Sequence, residues 1–356
     1  MPLMHRMTLC LLVSAGFFML LVRLKRDEPR TITFVDTAPS MTELSILMQQ
    51  QRQQLDNVSS QPQVIHRCSD DQPSIKYPRL ASDDLTQILM ATNDKCGNLL
   101  TTDAVIIVHS SAANFDRRKR LRNAYGNYNV TKPYRLKVVF LIGSVTDARL
   151  TIQLQQENRE YGDTVMGAFL DSYHNLTLKA VMGFRWLTET CPHVKLLIKM
   201  DDDVFLNVHK FFTTYWNKIP KTSTINSIHC VLWHNAKVFR TGKWKVEKSL
   251  FENSSYPFPY CSGFFVVISP DLIKPIYLHG KSIDFFWIDD VFLYGMVPDA
   301  IGGVHFHQVG SRERLVAESY KVYKHCIKRA SCPTWAVLTN SSREFHSEFD
   351  KLLLKR

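Results

Sequence analysis

The stretch Val194-Lys195-Leu196-Leu197-Ile198-Lys199-Met200-Asp201-Asp202-Asp203 decides how this chain is read. It is a largely apolar run suited to a buried strand, and it ends abruptly in a row of carboxylates. In open α/β folds, ligands bind outside the carboxyl ends of such strands. Carboxylates offset by one residue in a turn can hold a hard divalent cation, and that cation can grip both phosphates of a diphosphate. The plainer reading is a solvated acidic loop that caps a following helix over 208–216. Context favours the cation, because clustered carboxylates at a strand end repel one another unless positive charge neutralises them.

Working outward, 104–109 (AVIIVH) and 136–142 (LKVVFLI, closed by Gly143) read as two further strands buried on both faces. A helix over 117–125 follows the first of them. A second helix starts near Asn175 and places Leu178, Val181, Met182 and Trp186 on one face. Between them, 157–171 reads as an acidic and polar segment, and a short helix is expected around 83–92. No internal repeat is visible. Alternating strands and helices from Thr102 onward mark an α/β domain.

Ahead of that domain the texture differs. Residues 7–22 (MTLCLLVSAGFFMLLV) carry no charge and are followed by RLKRDEPR, which has no small-residue cleavage site, so a retained signal anchor is expected. Residues 1–6 are then a cytosolic tail. Residues 23–98 are polar, Gln-rich and broken by prolines, as in a stem, and the globular domain occupies 99–356. A positive-inside count points the other way, since more basic residues follow the span than precede it. Five Asn-X-Ser/Thr sequons, at Asn57, Asn129, Asn175, Asn253 and Asn340, together with eight cysteines, argue for the lumen. The net charge of +11 and the run Arg117-Arg118-Lys119-Arg120-Leu121-Arg122 could suggest nucleic acid. A lumenal protein meets none, and an anionic substrate such as a nucleotide diphosphate uses the same charge.

Two more constellations carry chemistry. In Phe285-Phe286-Trp287-Ile288-Asp289-Asp290-Val291-Phe292 a carboxylate pair sits in an apolar frame, which raises the pKa of one member and suits it to general-base work. A helix N-terminus stabilised by Asp289 is the plainer reading. In Tyr256-Pro257-Phe258-Pro259-Tyr260-Cys261-Ser262-Gly263-Phe264, an aromatic loop leads into a strand, and Gly263 permits close approach by a ligand or another backbone.

In this order the residues resemble the inverting β-1,3-glycosyltransferase family that includes the animal β-1,3-galactosyltransferases and β-1,3-N-acetylglucosaminyltransferases. Arg118 to Tyr125 looks like the family's R-x-x-I-R-x-T-W element, and Glu157 with Tyr161-Gly162-Asp163 like its Y-G-D. Asp171-Ser172-Tyr173-His174-Asn175-Leu176-Thr177-Leu178-Lys179 is similar to D-S-Y-x-N-L-T-x-K. Lys199-Met200-Asp201-Asp202-Asp203-Val204-Phe205 looks like K-x-D-D-D-V-F, Tyr256 to Gly263 like Y-P-x-Y-x-x-G, and Asp289-Asp290-Val291 like E-D-V.

The resemblance implies a single GT-A type, Rossmann-like nucleotide-sugar-binding domain behind the anchor and stem. It implies a UDP-sugar donor, Mn²⁺ or Mg²⁺, and transfer to the 3-hydroxyl of an acceptor glycan, with galactose the expected sugar and N-acetylglucosamine the next. Asp290 would be the catalytic base. Asp203 and Asp201 would serve the metal, with His307 a candidate third ligand. Arg118, Arg122, Asp171 and Lys179 would contact substrate, as would Asp201, Asp202, Trp244, Tyr260, Gly263 and Asp289. The setting implied is the Golgi membrane, as a single-pass type II protein acting on glycoprotein or glycolipid, with a homodimer open to it and no nucleic acid.

The sequence departs from the family pattern at several points. The family's Thr-Trp is Ala124-Tyr125, its Glu of E-D-V is Asp289, and a usual glycine after Gly263 is Phe264. The late histidine that completes the metal shell in relatives falls at Leu338, which leaves His305, His307 and His325 as candidates. A non-catalytic glycan-binding or chaperone-like lumenal protein is therefore the alternative from another class.

Overall fold

The computed structural model describes residues 86–91, 102–191, 193–310, 313–329, 331–339 and 341–354. The expected tail, anchor and most of the stem, with Asn57 and Asn340, lie outside the described residues. No helix among the described residues is long and apolar enough to cross a membrane.

The fold is α/β and is organised around β2 (Ala104–His109), every residue of which is buried. Strand β2 runs parallel to β3 (Leu136–Ser144) on one side and to β5 (Leu197–Asp201) on the other. β4 (Thr164–Leu170) is parallel to β3. The chain winds outward from β2 through β3 to β4 and then adds β5 on the opposite side of β2. The topological switch point, where open α/β sheets bind ligands, therefore lies between His109 and its register partner Asp201.

Beyond β5 the sheet turns antiparallel through β8 (Tyr260–Ile268) and β7 (Ser227–Trp233), and β9 (His305–Gln308) lies parallel to β7 at the edge. The disulfide Cys230–Cys261 ties β7 to β8. At the far edge β1 (Ile88–Met90) pairs antiparallel with β4. A small second sheet is made by β6 (Val204–Leu206), β10 (Val316–Ala317) and β11 (Ala336–Leu338). It forms immediately after the aspartates, so Thr339 at the end of β11 donates from N and Oγ1 to the Asp203 carbonyl at 3.0 and 2.6 Å.

Alternation along the strands builds two cores, one on each face. Val105, Ile107 and Leu197 face α3 (Leu176–Thr190), where Leu178, Val181, Met182 and Trp186 share the buried face as their spacing predicts. Ile106, Val108, Ile198 and Met200 face the other way, onto Leu121, Ala124 and Tyr125 of α1 (Phe115–Tyr125). Each such aliphatic side chain contributes about 1.5–3 kcal/mol by leaving water.

Two sequence expectations change. The polar segment 157–171 contains the end of α2 (Ala148–Tyr161), capped by Asp147 and closed by a left-handed Gly162, and then all of β4. The short helix expected around 83–92 is replaced by β1, because the open edge of β4 offers Ile88 and Met90 a hydrogen-bonding partner and tertiary pairing outweighs a weak helical pattern.

Candidate active site

The three aspartates of 201–203 have different surroundings. Asp202 is buried and saturated: Ser110 Oγ, Asn114 Nδ2 and Arg117 donate to it at 2.7, 2.8 and 2.7 Å. It fastens the loop after β2 to the end of β5. Asp201 reaches solvent and is gripped by Lys199 Nζ at 2.8 Å, two residues back on the same face of the strand. Asp203 is the least satisfied. Its Oδ1 is buried without a hydrogen-bond partner, and its other oxygen lies 3.4 Å from Arg117. Burial, then repulsion from Asp201 and Asp202, pushes its carboxyl up to about 6. An unpartnered oxygen on a carboxylate that its neighbours repel fits a bound cation.

On the other side of Lys199 stands the second carboxylate pair. Asp289 and Asp290 open a helical turn, Asp289–Val291, that continues through Phe292–Met296. Burial first, then repulsion from Asp289, holds Asp290 well above the ordinary carboxylate range, opposed by Lys199 and the Gly263 N–H. Asp289 is buried and raised as well, with Lys199 the main opposing influence. Lys199 is thus the pivot. Burial alone would lower its ammonium, but Asp201, Tyr294, Asp289 and Asp290 hold it above its usual value, and it also donates to the Gly263 carbonyl at 2.5 Å.

Gly263 is required here by space. A Cβ at this position would sit 1.9 Å from Asp290 Oδ1. Tyr260 lies close enough to Asp290 for that carboxylate to raise its phenol, after burial, to about 12. His109 closes the floor. Its Nδ1 is 3.9 Å from Asp289, too far for a hydrogen bond, and burial followed by Lys199 and Lys179 keeps the imidazole neutral.

Several residues expected to contact substrate are placed elsewhere. Arg118 is fully buried, with its guanidinium spent on Glu157, on Ser110 Oγ and on the carbonyls of Ser111 and Ala112. Arg122 is held by Asp163 and Glu157. Lys179 bonds Asp171 and the Ser110 carbonyl at 2.6 and 2.7 Å, while Asp171 accepts from Ala112 N and Gly143 N. Arg118, Lys179 and Asp171 build the β2 loop from behind, and Arg122 braces the Glu157 that holds Arg118. Trp244 bonds none of these carboxylates; its Nε1 donates to the Tyr173 hydroxyl at 2.7 Å.

His307 as a metal ligand needs correction. It pairs with His229 on β7, which pairs with Val267 on β8, which pairs with Ile198 on β5. Three strand spacings put it about 14 Å to the side of β5. Its ring stacks on His229 at 4.4 Å instead. The segment expected to carry the late histidine does reach the aspartates, since Leu338 pairs with Val204, but it brings no imidazole. Arg117 and Lys199 went unassigned in the sequence. Their signals were the first place in the basic run, for Arg117, and the i, i+2 spacing to Asp201, for Lys199. Of the described sequons, Asn129 and Asn253 are exposed. Asn175 instead donates to the Leu170 carbonyl, and Thr177 of its sequon is buried against the Phe286 carbonyl.

Residues 116–308 match the family model described as galactosyltransferase. The chain belongs to the galactosyltransferase family. Human β-1,3-galactosyltransferase 5 is 35% identical over 53% of this chain and 60% of its own length. Mouse β-1,3-galactosyltransferase 1 is 30% identical over 63% of this chain and 68% of its own. The chain thus spans less than two thirds of the length of the first of these relatives. Among solved structures, a glycosyltransferase involved in glycosylation of the PBCV-1 major capsid covers 70% of this chain and 99% of its own, with 12% identity and a TM-score of 0.39. The galactosyltransferase LgtC, in complex with donor and acceptor sugar analogues, covers 70% of this chain and 95% of its own, with 10% identity and a TM-score of 0.37. Every residue singled out here from Arg117 to His307 falls inside the span that matches the galactosyltransferase model.

Proposed function

We propose that the chain is a GT-A type β-1,3-galactosyltransferase that moves galactose from UDP-galactose to the 3-hydroxyl of an acceptor glycan with inversion. The observation that carries this reading is Asp290, a carboxyl pushed up by burial and by Asp289, seated on Gly263 and close enough to Lys199 and Asp201 to feel both charges. A carboxylate of raised basicity at a cleft is suited to take a proton from a hydroxyl at neutral pH. In that step the acceptor 3-oxygen gives its proton to Asp290 and attacks the anomeric carbon as the bond to the UDP oxygen breaks. One displacement turns the α-linked donor into a β-linked product.

Asp203 and Asp201 would hold Mn²⁺ or Mg²⁺, and the unpartnered Asp203 oxygen fits that role. A divalent cation there supplies neutralisation of the charge gathering on the departing diphosphate. Lys199 keeps Asp201 oriented and shields the two carboxylate pairs from each other. The reading puts the chain at the Golgi membrane with its domain in the lumen, acting on glycoprotein or glycolipid. N-acetylglucosamine is the donor sugar to test next.

A second reading, a non-catalytic member that binds glycans, draws on the position of His307. Among the described residues no group of three His, Cys, Asp or Glu side chains comes together to hold a cation. Incubating the chain with UDP-galactose or UDP-N-acetylglucosamine and Mn²⁺, with product linkage assigned by NMR, separates the two. Expected is a β-1,3 product whose rate falls about 10²-fold or more in Asp290→Asn and less in Asp289→Asn. Absence of product from either donor, or equal rates in Asp290→Asn and the parent, overturns the assignment.

A further inference from the structure

We propose that the aromatic cluster of Tyr173, His174, Trp244 and Trp287, with Lys243 lying over Tyr173, is an acceptor subsite beside the sugar that receives transfer, and that it takes an anionic sugar. The proposal rests on the transferase reading and names the acceptor class for it.

The cluster is joined by specific contacts. The His174 and Trp287 rings lie 4.6 Å apart, Tyr173 and Trp287 lie 6.4 Å apart, and Trp244 Nε1 donates to the Tyr173 hydroxyl at 2.7 Å. Tyr173 and Trp244 are nonetheless 41% and 45% exposed, a large apolar area to leave in water without a partner. Trp287 is three residues before Asp290, which bounds the backbone separation at about 10 Å. The backbone of the platform is therefore tied by a short segment to that of the candidate base. Aromatic faces stack on the C–H faces of sugar rings, while the Tyr173 hydroxyl, which accepts from Trp244, keeps its own proton to donate to a sugar hydroxyl.

Charge sets the class of sugar. The loop between β7 and β8 carries Lys237, Lys243 and Lys248, none of which is ion-paired among the described residues, whereas Lys245 is paired with Glu247 at 3.2 Å. Lys243 Nζ lies over the Tyr173 ring, 3.8 Å from its centre, and 5.5 Å from that of Trp244, so its charge sits on the Tyr173 face and beside the indole of Trp244. The loop is also preformed. Arg240 donates to the carbonyls of Glu247 and Leu250 at 2.7 and 3.0 Å, so little ordering remains when a ligand arrives. A fixed ammonium beside exposed rings matches a sugar that bears a carboxylate or a sulfate.

The test gives the chain its donor and a set of matched disaccharide acceptors: neutral, uronate-bearing, the methyl ester of that uronate, and sulfated. The parent should show a KM about three- to five-fold lower for charged acceptors than for the neutral one. Lys243→Gln should raise the charged-acceptor KM by about that factor and the neutral one by less than about two-fold. Trp244→Ala should raise both by about ten-fold. A lower KM for the uronate than for its ester identifies carboxylate as the group read, and a preference for the sulfated acceptor alone identifies sulfate. Equal KM values across the set, or a preference that survives Lys243→Gln, overturns the proposal. So does binding to anionic phospholipid vesicles that Lys243→Gln abolishes while saccharides show no preference. Saccharide binding followed by tryptophan fluorescence without donor keeps the two readings apart. If no sugar is transferred but charged saccharides bind through Lys243, the transferase reading alone has failed.

Discussion

Gly263 and Asp290 are in contact at a separation that no side chain would allow: a Cβ on Gly263 would lie 1.9 Å from the Asp290 carboxylate oxygen. The glycine therefore sets the position of the carboxylate as well as its hydrogen bond. Gly263→Ala must move Asp290 or β8, and β8 is pinned between β5 and β7. The carboxylate moves. Transfer should fall about as far as in Asp290→Asn, on the order of 10²-fold. UDP-sugar affinity should change by less than about three-fold, because Asp203 is neither among the atoms that meet a Gly263 Cβ nor among the groups that act on Asp290. Initial-rate kinetics and donor titration check both. Near-normal transfer in Gly263→Ala would mean that Asp290 is not the base.

Asp203 offers a case in which function and stability oppose each other. Its carboxyl is raised by burial and by Asp201 and Asp202, so in the metal-free protein the ionised form costs stability above its unfolded pKa. Asp203→Asn should stabilise the metal-free chain by about 1 kcal/mol, after discounting for its partial exposure. The same substitution should remove the effect of Mn²⁺ on donor affinity, since an amide is a poorer ligand for a hard cation. Thermal melts and UDP-sugar titration with and without metal provide the readouts. A lower Tm combined with unchanged metal dependence would remove Asp203 from the cation site.

His229 gives the pH dependence a sign. It is fully buried, hydrogen-bonded to Tyr215 and to the Ser223 carbonyl, and stacked on His307. Burial and then His307 push its pKa down to about 4. The unfolded chain binds the proton at about 6.5 and the folded chain resists it, so this contribution is complete above about pH 6.5 and is lost as pH falls toward about 4. The full loss is about 3 kcal/mol. Urea unfolding at about pH 7.5 and about pH 5 should show that slope in the parent and a flatter one in His229→Gln. Equal slopes would assign the acid sensitivity to other groups.

Much of the site was legible because strand chemistry is local. The run into Asp201, Asp202 and Asp203 announced both β5 and its carboxylates, and Asp289-Asp290 in an apolar frame announced the second pair. Partners set by the fold were not legible. Arg117 and Arg118 are neighbours in a basic run, yet one turns to the aspartates and the other into the core, a choice made by where Glu157 sits across α2. His307 looked available as a ligand because sequence does not reveal that β9 adds beyond β7. β4 was hidden inside a polar segment because its flanks are charged while its own residues, Thr164–Leu170, are mostly buried.

Arg118 separates a donor contact from a scaffold. It shows no exposed surface, its fork binds both oxygens of Glu157, and its remaining donors hold the carbonyls of Ser111 and Ala112 in the loop that carries Asn114 to Asp202. Removing Arg118 leaves buried Glu157 with Arg122 alone and takes the donor from the Ser111 and Ala112 carbonyls, so Arg118→Met should cost about 3–5 kcal/mol in urea unfolding. Lysine cannot reproduce the fork, and Arg118→Lys should recover only part of that loss. Adding Glu157→Gln to Arg118→Met should restore some stability, because the buried charge left short of a partner goes with it, although Arg122 then loses one of its ion pairs. The kinetic readout distinguishes the roles. For a scaffold residue, the fraction of Arg118→Met that remains folded keeps a donor KM within about three-fold of the parent, and activity tracks the folded population. For a residue that grips the diphosphate, KM rises by about ten-fold or more with little change in unfolding free energy, and Glu157→Gln does not rescue it. A variant with parental stability and a raised donor KM would return Arg118 to the substrate site and leave Glu157 as the residue that orients it.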